Sequence, residues 1–340
     1  MSDQLVEGGA MAGVRVLLIA PMFFGYEKLI KKELEDQGAT VDYFNDRPDD
    51  TFLTKSLIRI NRQLIARKTN FYYDKIIGSV RDTHYDHILI VRGEAISKER
   101  LIKLRSSQPR AKITLYLWDS MHYNPNARVI KSYVDRVLSF DRVDVDENSD
   151  IEFLPLFYGR EFEKAANISD GYLYDACFIG TIHTDRYRVL EKIIEALESD
   201  GLKVFIYCYY PSKILYILRA IVDSGFRRFA KKYIDFSGMK LSDVVARIAE
   251  SRTVIDVNRP GQRGLTMRTI EAVGAQRKLI TTNTDIVNYN IYTSESVCLV
   301  CRSSPIITME FFSRCDNPYL NDVRNEYSVE SWVKQMFYPV

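Results

Sequence analysis

Short apolar runs alternate along the first half of this chain with segments in which apolar residues recur at helical spacing. Strands are predicted at 14–20 (VRVLLIA), 40–44, 87–93 (HILIVRG), 112–119 (KITLYLWD), 136–141 and 151–157. Helices are predicted at 26–37, 54–80 and 98–106. Apolar strands that alternate with helices are typical of βαβ units, so the first half predicts an α/β domain with a parallel sheet.

The same alternation restarts after a polar stretch at 159–171. Strands are predicted at 174–180, 202–210, 253–257 and 278–282, and helices at 186–199, 211–233, 241–251 and from about Leu265. We therefore predict two Rossmann-like domains with parallel sheets. The predicted parts are a flexible tail at 1–13, a first domain at 14–158, a linker at 159–171, a second domain at 172–325 and a C-terminal segment at 326–340. That last segment carries an amphipathic helix, capped by Ser328, that can pack back on the first domain.

Composition places the chain among ordinary globular proteins. Of its 340 residues 46% are hydrophobic and 27% are charged, and the net charge of +2 is too small to indicate a nucleic-acid partner. Cys298 and Cys301 have a CxxC-like spacing, but no second pair or histidine follows at zinc-site distance. Reduced thiols in a cytoplasmic protein are therefore expected. The apolar run 14–24 is too short to span a bilayer.

The segment 259–283 (RPGQRGLTMRTIEAVGAQRKLITTN) holds the most distinctive chemistry. A glycine-rich, basic loop leads there from one predicted strand into a helix, whose free N–H groups and positive dipole end suit a phosphate group. Arg259, Arg263 and Arg268 add forked donors for a diphosphate. Glu271, farther along the helix, can accept hydrogen bonds from a ribose diol. The segment thus predicts a nucleotide-diphosphate site.

A less specific interpretation of the same segment stays open. Glycine-rich loops are common, and the loop can simply be solvated beside a surface helix that holds an internal Arg268–Glu271 pair.

Several motifs of the chain carry a family resemblance. The segment VIDVNRPGQRGLTMRTIEAVGAQRKLITTN resembles the nucleotide-sugar-binding part of GT-B glycosyltransferases, in which a helix bearing xxEAxxxG precedes a strand of the form xxIxTN. The stretches FFGYEKLIKKEL, RGEAI, LYLWDS, FLPLFY and FIGTIHTDRY are similar to the CgeB-like, lipopolysaccharide-biosynthesis type of these enzymes. The resemblance covers nearly the whole chain after residue 13. It implies a donor site in the second domain and an acceptor site in the first, facing across a cleft.

The resemblance also assigns roles to individual residues. Glu271 matches the glutamate that holds the donor ribose, Gly180 and Thr181 match a glycine-containing turn at the diphosphate, and Arg186 stands near a phosphate-binding base. Arg263 stands where many retaining relatives carry a second glutamate. The complete set of predicted donor-binding residues is Gly180, Thr181, His183, Arg186, Arg259, Gly261, Arg263, Gly264, Leu265, Thr266, Arg268, Glu271, Thr282 and Asn283. The predicted acceptor-side residues are Phe24, Gly25 and Tyr26.

Glycosyl transfer to a hydroxyl requires stabilisation of the leaving diphosphate and activation of the attacking oxygen. The arginines and the helix N-terminus would stabilise the diphosphate, so no metal is expected. A DVD motif at 144–146 resembles a metal-binding DxD sequence, but it reads as a solvated loop between strands. Asp119 and Glu94 follow predicted strands and are candidates for the general base; each can instead cap a helix or pair with Arg92.

Two stretches are strongly basic. The ranges 51–80 and 211–233 each contain six basic residues and one acidic residue, a net charge of +5. Both interleave apolar residues, as interfacial helices do, and are either solvated faces or contacts with an anionic membrane.

Together these patterns predict a metal-independent, hexosyltransferase-type enzyme that uses no cofactor besides its nucleotide-sugar donor. The expected acceptor is a saccharide or lipid-linked saccharide of bacterial surface polysaccharide or lipopolysaccharide synthesis, and the expected location is the cytoplasm, with peripheral contact at the inner face of the membrane. Two alternatives stay open, a nucleotide-sugar epimerase of the same fold and a non-catalytic sugar-nucleotide-binding subunit of a synthase complex.

Overall fold

The computed structural model describes residues 9–49, 51, 54, 62–166, 171–313 and 318–338. The chain divides into two compact units, which we call unit 1 (Met1–Pro155 with Val333–Val340) and unit 2 (Leu156–Trp332). Each unit contains a six-stranded sheet in which every pairing is parallel. The predicted α/β class with two parallel sheets is therefore confirmed.

Unit 1 contains six strands in the spatial order β2-β1-β3-β4-β5-β6. The strands are β1 (Arg15–Ala20), β2 (Thr40–Asn45), β3 (His87–Val91), β4 (Lys112–Leu117), β5 (Arg136–Ser139) and β6 (Glu152–Phe153). The helices are α1 (Tyr26–Asp36), α2 (Ala66–Val80), α3 (Lys98–Ser107), α4 (Pro125–Ile130) and α5 (Arg142–Glu147). Because alternate residues of a strand point to opposite faces, Leu17, Ile19, Ile88 and Ile90 enter one core together.

Unit 2 repeats this architecture with the order β12-β11-β10-β7-β8-β9. Its strands are β7 (Tyr174–Thr181), β8 (Val204–Tyr209), β9 (Ile234–Asp235), β10 (Ser251–Asp256), β11 (Lys278–Thr281) and β12 (Val297–Leu299). Its helices begin with α6 (Arg160–Ala166), α7 (Arg186–Ser199), α8 (Lys213–Val222), α9 (Ser224–Tyr233) and α10 (Leu241–Ala249). They continue with α11 (Met267–Gly274), α12 (Met309–Ser313), α13 (Asn321–Glu326) and α14 (Val329–Phe337), the last of which ends in unit 1.

Helix α11 is the most deeply buried helix segment of the predicted donor region. Its residues from Thr269 to Gly274 are all buried, so the interpretation of this helix as a surface helix is wrong. Gly274 lies against the ring of Tyr158, where an added Cβ would come within 2.5 Å of the ring carbon Cγ. Close packing at this point therefore depends on the missing side chain.

Three local predictions differ from the structure. The helix predicted at 211–233 is two helices, because Asp223 ends α8 and its carboxylate accepts the N–H of Phe226 at the start of α9. The DVD motif is not a solvated loop but part of α5, in which Asp144 is buried and accepts hydrogen bonds from the Met121 N–H and the Ser139 hydroxyl. The short strands β9 and β12 were not predicted.

The segments predicted as tail and linker also contain ordered structure. Met11 is fully buried, and its N–H donates to the carbonyl oxygen of Gln37, whereas residues 1–8 of the tail lie outside the described residues. The linker range begins with helix α6, and its residues 167–170 are likewise outside the description. Within unit 1, Arg136 donates to the carbonyl oxygens of Gln335 and Met336 in the C-terminal segment.

Among the described residues, no helix is long and apolar enough to cross a membrane.

Packing against Gly274 generates a stability prediction. We expect Gly274→Ala to lower the free energy of unfolding by about 1–3 kcal/mol, because the new methyl group must displace the ring of Tyr158. The matched control is Gly78→Ala on helix α2, where nothing lies within 4 Å of the added Cβ. There alanine should raise stability by roughly 0.5–1 kcal/mol through helix propensity. Chemical denaturation of both variants checks the pair, and an equal effect of the two changes would contradict the packing argument.

Candidate functional site

The carboxyl ends of strands β7, β10 and β11 meet at one edge of the unit 2 sheet. Parallel pairing aligns Asp256, the last residue of β10, with Thr281, the last residue of β11, and β7 pairs on the other side of β10. The loops that follow these strands carry most of the predicted donor-binding residues. Ligands of open α/β sheets bind at this edge, so we call it the donor edge.

The carboxylate of Asp256 fixes the start of helix α11 to the end of β10. One of its oxygens accepts hydrogen bonds of 2.8 Å from the hydroxyls of both Thr266 and Thr269. The Thr266 hydroxyl also caps the helix by accepting the N–H of Thr269. Thr266, predicted as a ligand contact, therefore has a structural role here, and Asp256 was not predicted at all.

Residues that follow β11 hold the loop between β10 and α11 in place through hydrogen bonds. The side-chain amide of Asn283 donates to the carbonyl oxygens of Arg263 and Gly264, at 3.0 and 3.3 Å. The hydroxyl of Thr282 donates to Asn258 at 2.8 Å. Both residues were predicted to contact the ligand, and in this structure both organise the loop. Gly261 takes a left-handed conformation with φ of 79°, which explains the glycine at that turn.

Two of the predicted phosphate-binding arginines already have carboxylate partners. Arg263 pairs with Asp285 at 3.0 Å. Arg268 lies 2.5 Å from the carboxylate of Glu271, and its Nε donates to the carbonyl oxygen of Ile179. The internal Arg268–Glu271 pair that the sequence left open is thus present. Burial raises the pKa of Glu271 well above its ordinary value.

A second group of cations gathers around the turn after β7. Arg186 donates to the carbonyl oxygen of Thr181 at 2.9 Å. Burial lowers its pKa to about 10, and the positive charges of Arg259 and Arg302 act in the same direction, whereas the Asp256 carboxylate opposes them. Like charges are therefore gathered near Arg186, and an anion placed among them would relieve their repulsion.

His183 lies in the same positive field. Burial lowers its pKa to about 3, and the charges of Arg186 and Arg259 contribute to that shift. The imidazole is therefore neutral at physiological pH, in a form that can donate one hydrogen bond. Leu265, in contrast, is buried, so its side chain forms part of the core.

Arg302 joins three loops of the donor edge and was missed in the sequence. Its guanidinium donates to the carboxylate of Asp185 at 2.8 and 3.0 Å, to the carbonyl oxygen of Asn258 at 3.1 Å and to the Thr282 hydroxyl at 3.2 Å. These partners follow β7, β10 and β11 respectively. Arg302 itself follows the short strand β12, and no local pattern distinguishes it from a surface arginine.

In unit 1, charged side chains gather at the carboxyl ends of β2, β3 and β4. Glu94 is buried and accepts hydrogen bonds from Arg47 at 2.7 and 3.0 Å and from Arg92 at 3.1 Å. Arg92 also pairs with Asp119 at 2.9 Å. Asp46, fully buried, accepts the N–H of Glu94, and burial raises the pKa of its carboxyl group. We call these five residues the acidic cluster.

The turn that presents the acidic cluster is strained. Arg92 has φ of 72° and Gly93 φ of 59°, although a left-handed conformation is unfavourable for arginine. Asn124 and Asn126 stabilise the turn by donating to the carbonyl oxygens of Arg92 and Gly93, at 2.6 and 2.7 Å. Such strain often occurs where a functional group must be held in place.

Aromatic side chains surround the predicted acceptor residues. Phe24 is half exposed and has φ of 50°, and Gly25 follows with φ of 88° at the start of α1. Tyr26 is buried, with its ring 5.8 Å from that of Trp118 in an edge-to-face arrangement. Phe23 also contacts Trp118. The sequence identified Phe24 to Tyr26 but gave no role to Phe23 or Trp118.

In the described part of the chain, no group of three or more His, Cys, Asp or Glu side chains is placed to hold a metal ion.

Comparison with known proteins was made through families, curated sequences and solved structures. No family model matches the chain, and no curated protein matches significantly. Solved structures match over nearly its whole length. An α-glucosyltransferase in complex with UDP and a 13-mer DNA is 14% identical, with 95% of each chain covered and a TM-score of 0.60.

Two further structures are equally extensive matches. The trehalose-6-phosphate synthase OtsA is 12% identical, over 96% of this chain and 100% of that one, with a TM-score of 0.61. A putative UDP-N-acetylglucosamine 2-epimerase from Listeria monocytogenes is 12% identical, over 96% and 97% of the two chains, with a TM-score of 0.53. At these identities the likeness establishes the fold, which is the GT-B fold with two Rossmann-like domains.

The buried Arg268–Glu271 pair generates a prediction about stability. We expect Glu271→Ala to lower the free energy of unfolding by about 3–5 kcal/mol, because it leaves Arg268 charged and without its carboxylate in the interior. The double variant Arg268→Met/Glu271→Leu should recover much of that loss. Glu250→Ala is the control, since it breaks the more exposed i,i+3 pair with Arg247 and should cost less than about 1 kcal/mol. Equal losses in Glu271→Ala and Glu250→Ala, measured by denaturation, would contradict the assignment.

Proposed function

We propose that the protein is a metal-independent, hexosyltransferase-type glycosyltransferase whose nucleotide-sugar donor binds at the donor edge of unit 2. One observation carries the proposal. On a fold shared with a UDP-bound α-glucosyltransferase, this edge gathers Arg259 and Arg302 near Arg186, and a neutral His183 lies in the field of Arg186 and Arg259. Guanidinium groups recognise diphosphates through paired hydrogen bonds.

The proposed chemistry has two parts, departure of the diphosphate and activation of the acceptor hydroxyl. The acceptor hydroxyl oxygen attacks C1 of the donor sugar, the bond from C1 to the diphosphate oxygen breaks, and the diphosphate leaves with the bonding electrons. The arginines of the donor edge stabilise the negative charge that develops on it. Gly180, Thr181, Gly261 and Gly264 supply backbone close to the phosphates, and Glu271 holds the ribose, as the family resemblance implies.

For the proton of the acceptor hydroxyl, the structure favours Asp119 over Glu94. Glu94 is buried between two guanidiniums, whereas the Asp119 side chain is 29% exposed and pairs with Arg92. A base needs access to its substrate, so we assign proton removal to Asp119 and a positioning role to Glu94. The ring surfaces of Phe24 and Trp118 are suited to the apolar face of an acceptor sugar, with Gly25 and Tyr26 shaping that surface.

The biological setting follows from the resemblance rather than from the fold. We infer a saccharide or lipid-linked saccharide acceptor in bacterial surface polysaccharide or lipopolysaccharide synthesis, a CgeB-like type of enzyme, and a cytoplasmic location with peripheral contact at the inner membrane face. The acceptors of the proteins with matching structures are not assigned to this protein. An epimerase is the second candidate, supported by the fold shared with the Listeria protein.

A ligand screen tests the donor assignment. A panel of nucleotide sugars should raise the melting temperature for one nucleotide class, because a ligand that binds the folded state stabilises it. For that ligand, Arg259→Ala and Arg302→Ala should each weaken binding about 10- to 100-fold, the loss expected from a hydrogen bond to a charged group. Calorimetry measures the change.

The control for both variants is Arg228→Ala, which removes an exposed arginine of unit 2 on helix α9. Unchanged affinity in Arg259→Ala and Arg302→Ala would remove the donor edge from the proposal. Conversion of a nucleotide sugar without any acceptor would favour the epimerase, and binding without transfer or hydrolysis would favour the non-catalytic subunit.

The base assignment has its own test. Asp119→Asn should lower turnover roughly 10²- to 10⁴-fold, the usual contribution of a general base, while donor affinity stays unchanged. Glu94→Gln should chiefly lower stability, because it leaves two guanidiniums without their shared carboxylate. Asp150→Asn, which alters an exposed unit 1 carboxylate paired with Lys131, is the control. Near-normal turnover in Asp119→Asn would place the base elsewhere.

A further inference from the structure

Helix α8 exposes more large aliphatic surface than its place on a globular domain explains. Ile214, Leu215, Ile217, Leu218, Ile221 and Val222 are between 45% and 84% exposed. At 3.6 residues per turn these six side chains fall within about 160° of the helix circumference, as one continuous stripe. We call this stripe the aliphatic face. Apolar surface gathered in this way marks a binding site more often than scattered exposed residues do.

The aliphatic face belongs to a firmly anchored helix. The Ser212 hydroxyl caps its start by accepting the N–H of Leu215, and Ala220 is buried on the opposite side. Tyr216 packs its ring against those of Tyr210 and Phe226 in the core of unit 2. The helix is therefore docked by one side, and the exposed aliphatic residues are those of its outward side.

Helix α9, which packs against α8, adds positive charge to the same part of the molecule. Phe226, Phe229 and Ala230 are buried in the core. The exposed residues on the other side are Arg227, Arg228, Lys231 and Lys232. An aliphatic helix followed directly by a basic one combines the two forces that bind a protein to an anionic bilayer, apolar burial and electrostatic attraction.

The other basic stretch, at 51–80, is less suited to this role. Lys68 pairs with Asp49, and Lys75 lies over the ring of Phe71. Tyr73, which would have served as an aromatic anchor, is buried, and Tyr72 donates to the carbonyl oxygen of Asn45. Lys55 and Arg59 lie outside the described residues. Lys232 of the second stretch also pairs with Glu198 and lies over the Tyr233 ring, so the difference between the two stretches is chiefly the aliphatic surface that α8 exposes.

We propose that the aliphatic face of α8 inserts into the interface of an anionic lipid bilayer, with the cations of α9 on its headgroups. The side chains of the face are purely hydrocarbon and stand on one convex helix, which suits fluid acyl chains rather than a fixed complementary groove. This inference specifies the surface used in the proposed membrane contact. It does not depend on glycosyl transfer, because lipid binding and donor binding are measured separately.

Vesicle cosedimentation tests the proposal directly. The protein should bind vesicles of mixed phosphatidylcholine and phosphatidylglycerol, bind pure phosphatidylcholine less, and lose part of its binding in high salt. The variant Ile214→Asp/Ile221→Asp should reduce the partition coefficient at least about tenfold, because two exposed aliphatic anchors are replaced by charges. Arg227→Ala/Arg228→Ala should reduce binding to anionic vesicles and weaken its salt dependence.

The matched control is Ile306→Asp/Leu320→Asp, which adds the same charges at unit 2 residues that are 75% and 77% exposed. This control should bind vesicles as the unaltered protein does. Equal binding by the α8 variant and the control would overturn the proposal, as would no binding to anionic vesicles by the unaltered chain. A lipid-independent dimer that the α8 variant dissociates, seen by sedimentation velocity, would instead assign the face to a second copy. Calorimetry of the α8 variant with the donor ligand keeps this test separate from that of the proposed function.

Discussion

The donor edge depends on one buried carboxylate, that of Asp256. It stands at the end of a central strand and holds the hydroxyls of Thr266 and Thr269 at 2.8 Å each. Because Thr266 is also the helix cap, the strand end and the helix start are joined through a single side chain. The loop between them then has fixed ends, and its glycines can turn without loosening the site. The same negative charge stabilises the buried guanidiniums of Arg186 and Arg268.

Two arginines of unit 2 pair with carboxylates beside helix α11, and three others interact with one another near the turn after β7. Arg263 and Arg268 are held by Asp285 and Glu271, so they maintain the scaffold. Burial lowers the pKa of Arg186, and the neighbouring charges of Arg259 and Arg302 lower it further. Cations that repel one another persist in a folded protein when the surrounding structure holds them together. An anionic ligand bound among them makes the net electrostatic interaction favourable. A nucleotide diphosphate supplies such an anion.

Sequence patterns predicted the sheets well because most of their strands, such as β1, β3, β4 and β11, are almost completely buried and form continuous apolar runs. All ten predicted strands are present, whereas Ile234–Asp235 and Val297–Leu299 are too short to form a recognisable apolar run. The break at Asp223 depends on a tertiary contact, since Tyr187 donates to that carboxylate at 2.6 Å. Site prediction was weaker for the same reason. Arg302 acts through partners distant in sequence and stands in no local motif, whereas Asp256 stands in the VIDV part of the quoted segment but was given no role.

Sequence patterns also could not distinguish the two basic stretches from each other. Net charge counts charged residues, but it does not show which of their side chains form contacts within the folded protein. Lys68 and Lys75 have partners in unit 1, and the large aliphatic side chains of α8 lie on the outside. Amphipathic periodicity identifies which residues share a face of a helix. It does not show whether that face contacts the protein core, water or lipid. For α8 the protein core covers the side of Tyr216 and Ala220 and leaves the large aliphatic side exposed.

The acidic cluster of unit 1 is the electrostatic counterpart of the donor edge. It contains three carboxyl groups, of Asp46, Glu94 and Asp119, and two guanidiniums, of Arg47 and Arg92. Burial raises the pKa of Asp46, so the surroundings of this carboxyl group disfavour its charge. Glu94 accepts hydrogen bonds from both arginines, and Asp119, at the more exposed end of the cluster, pairs with Arg92. A carboxylate that is oriented by a fixed arginine and accessible from outside meets the geometric requirements of the base in the proposed mechanism.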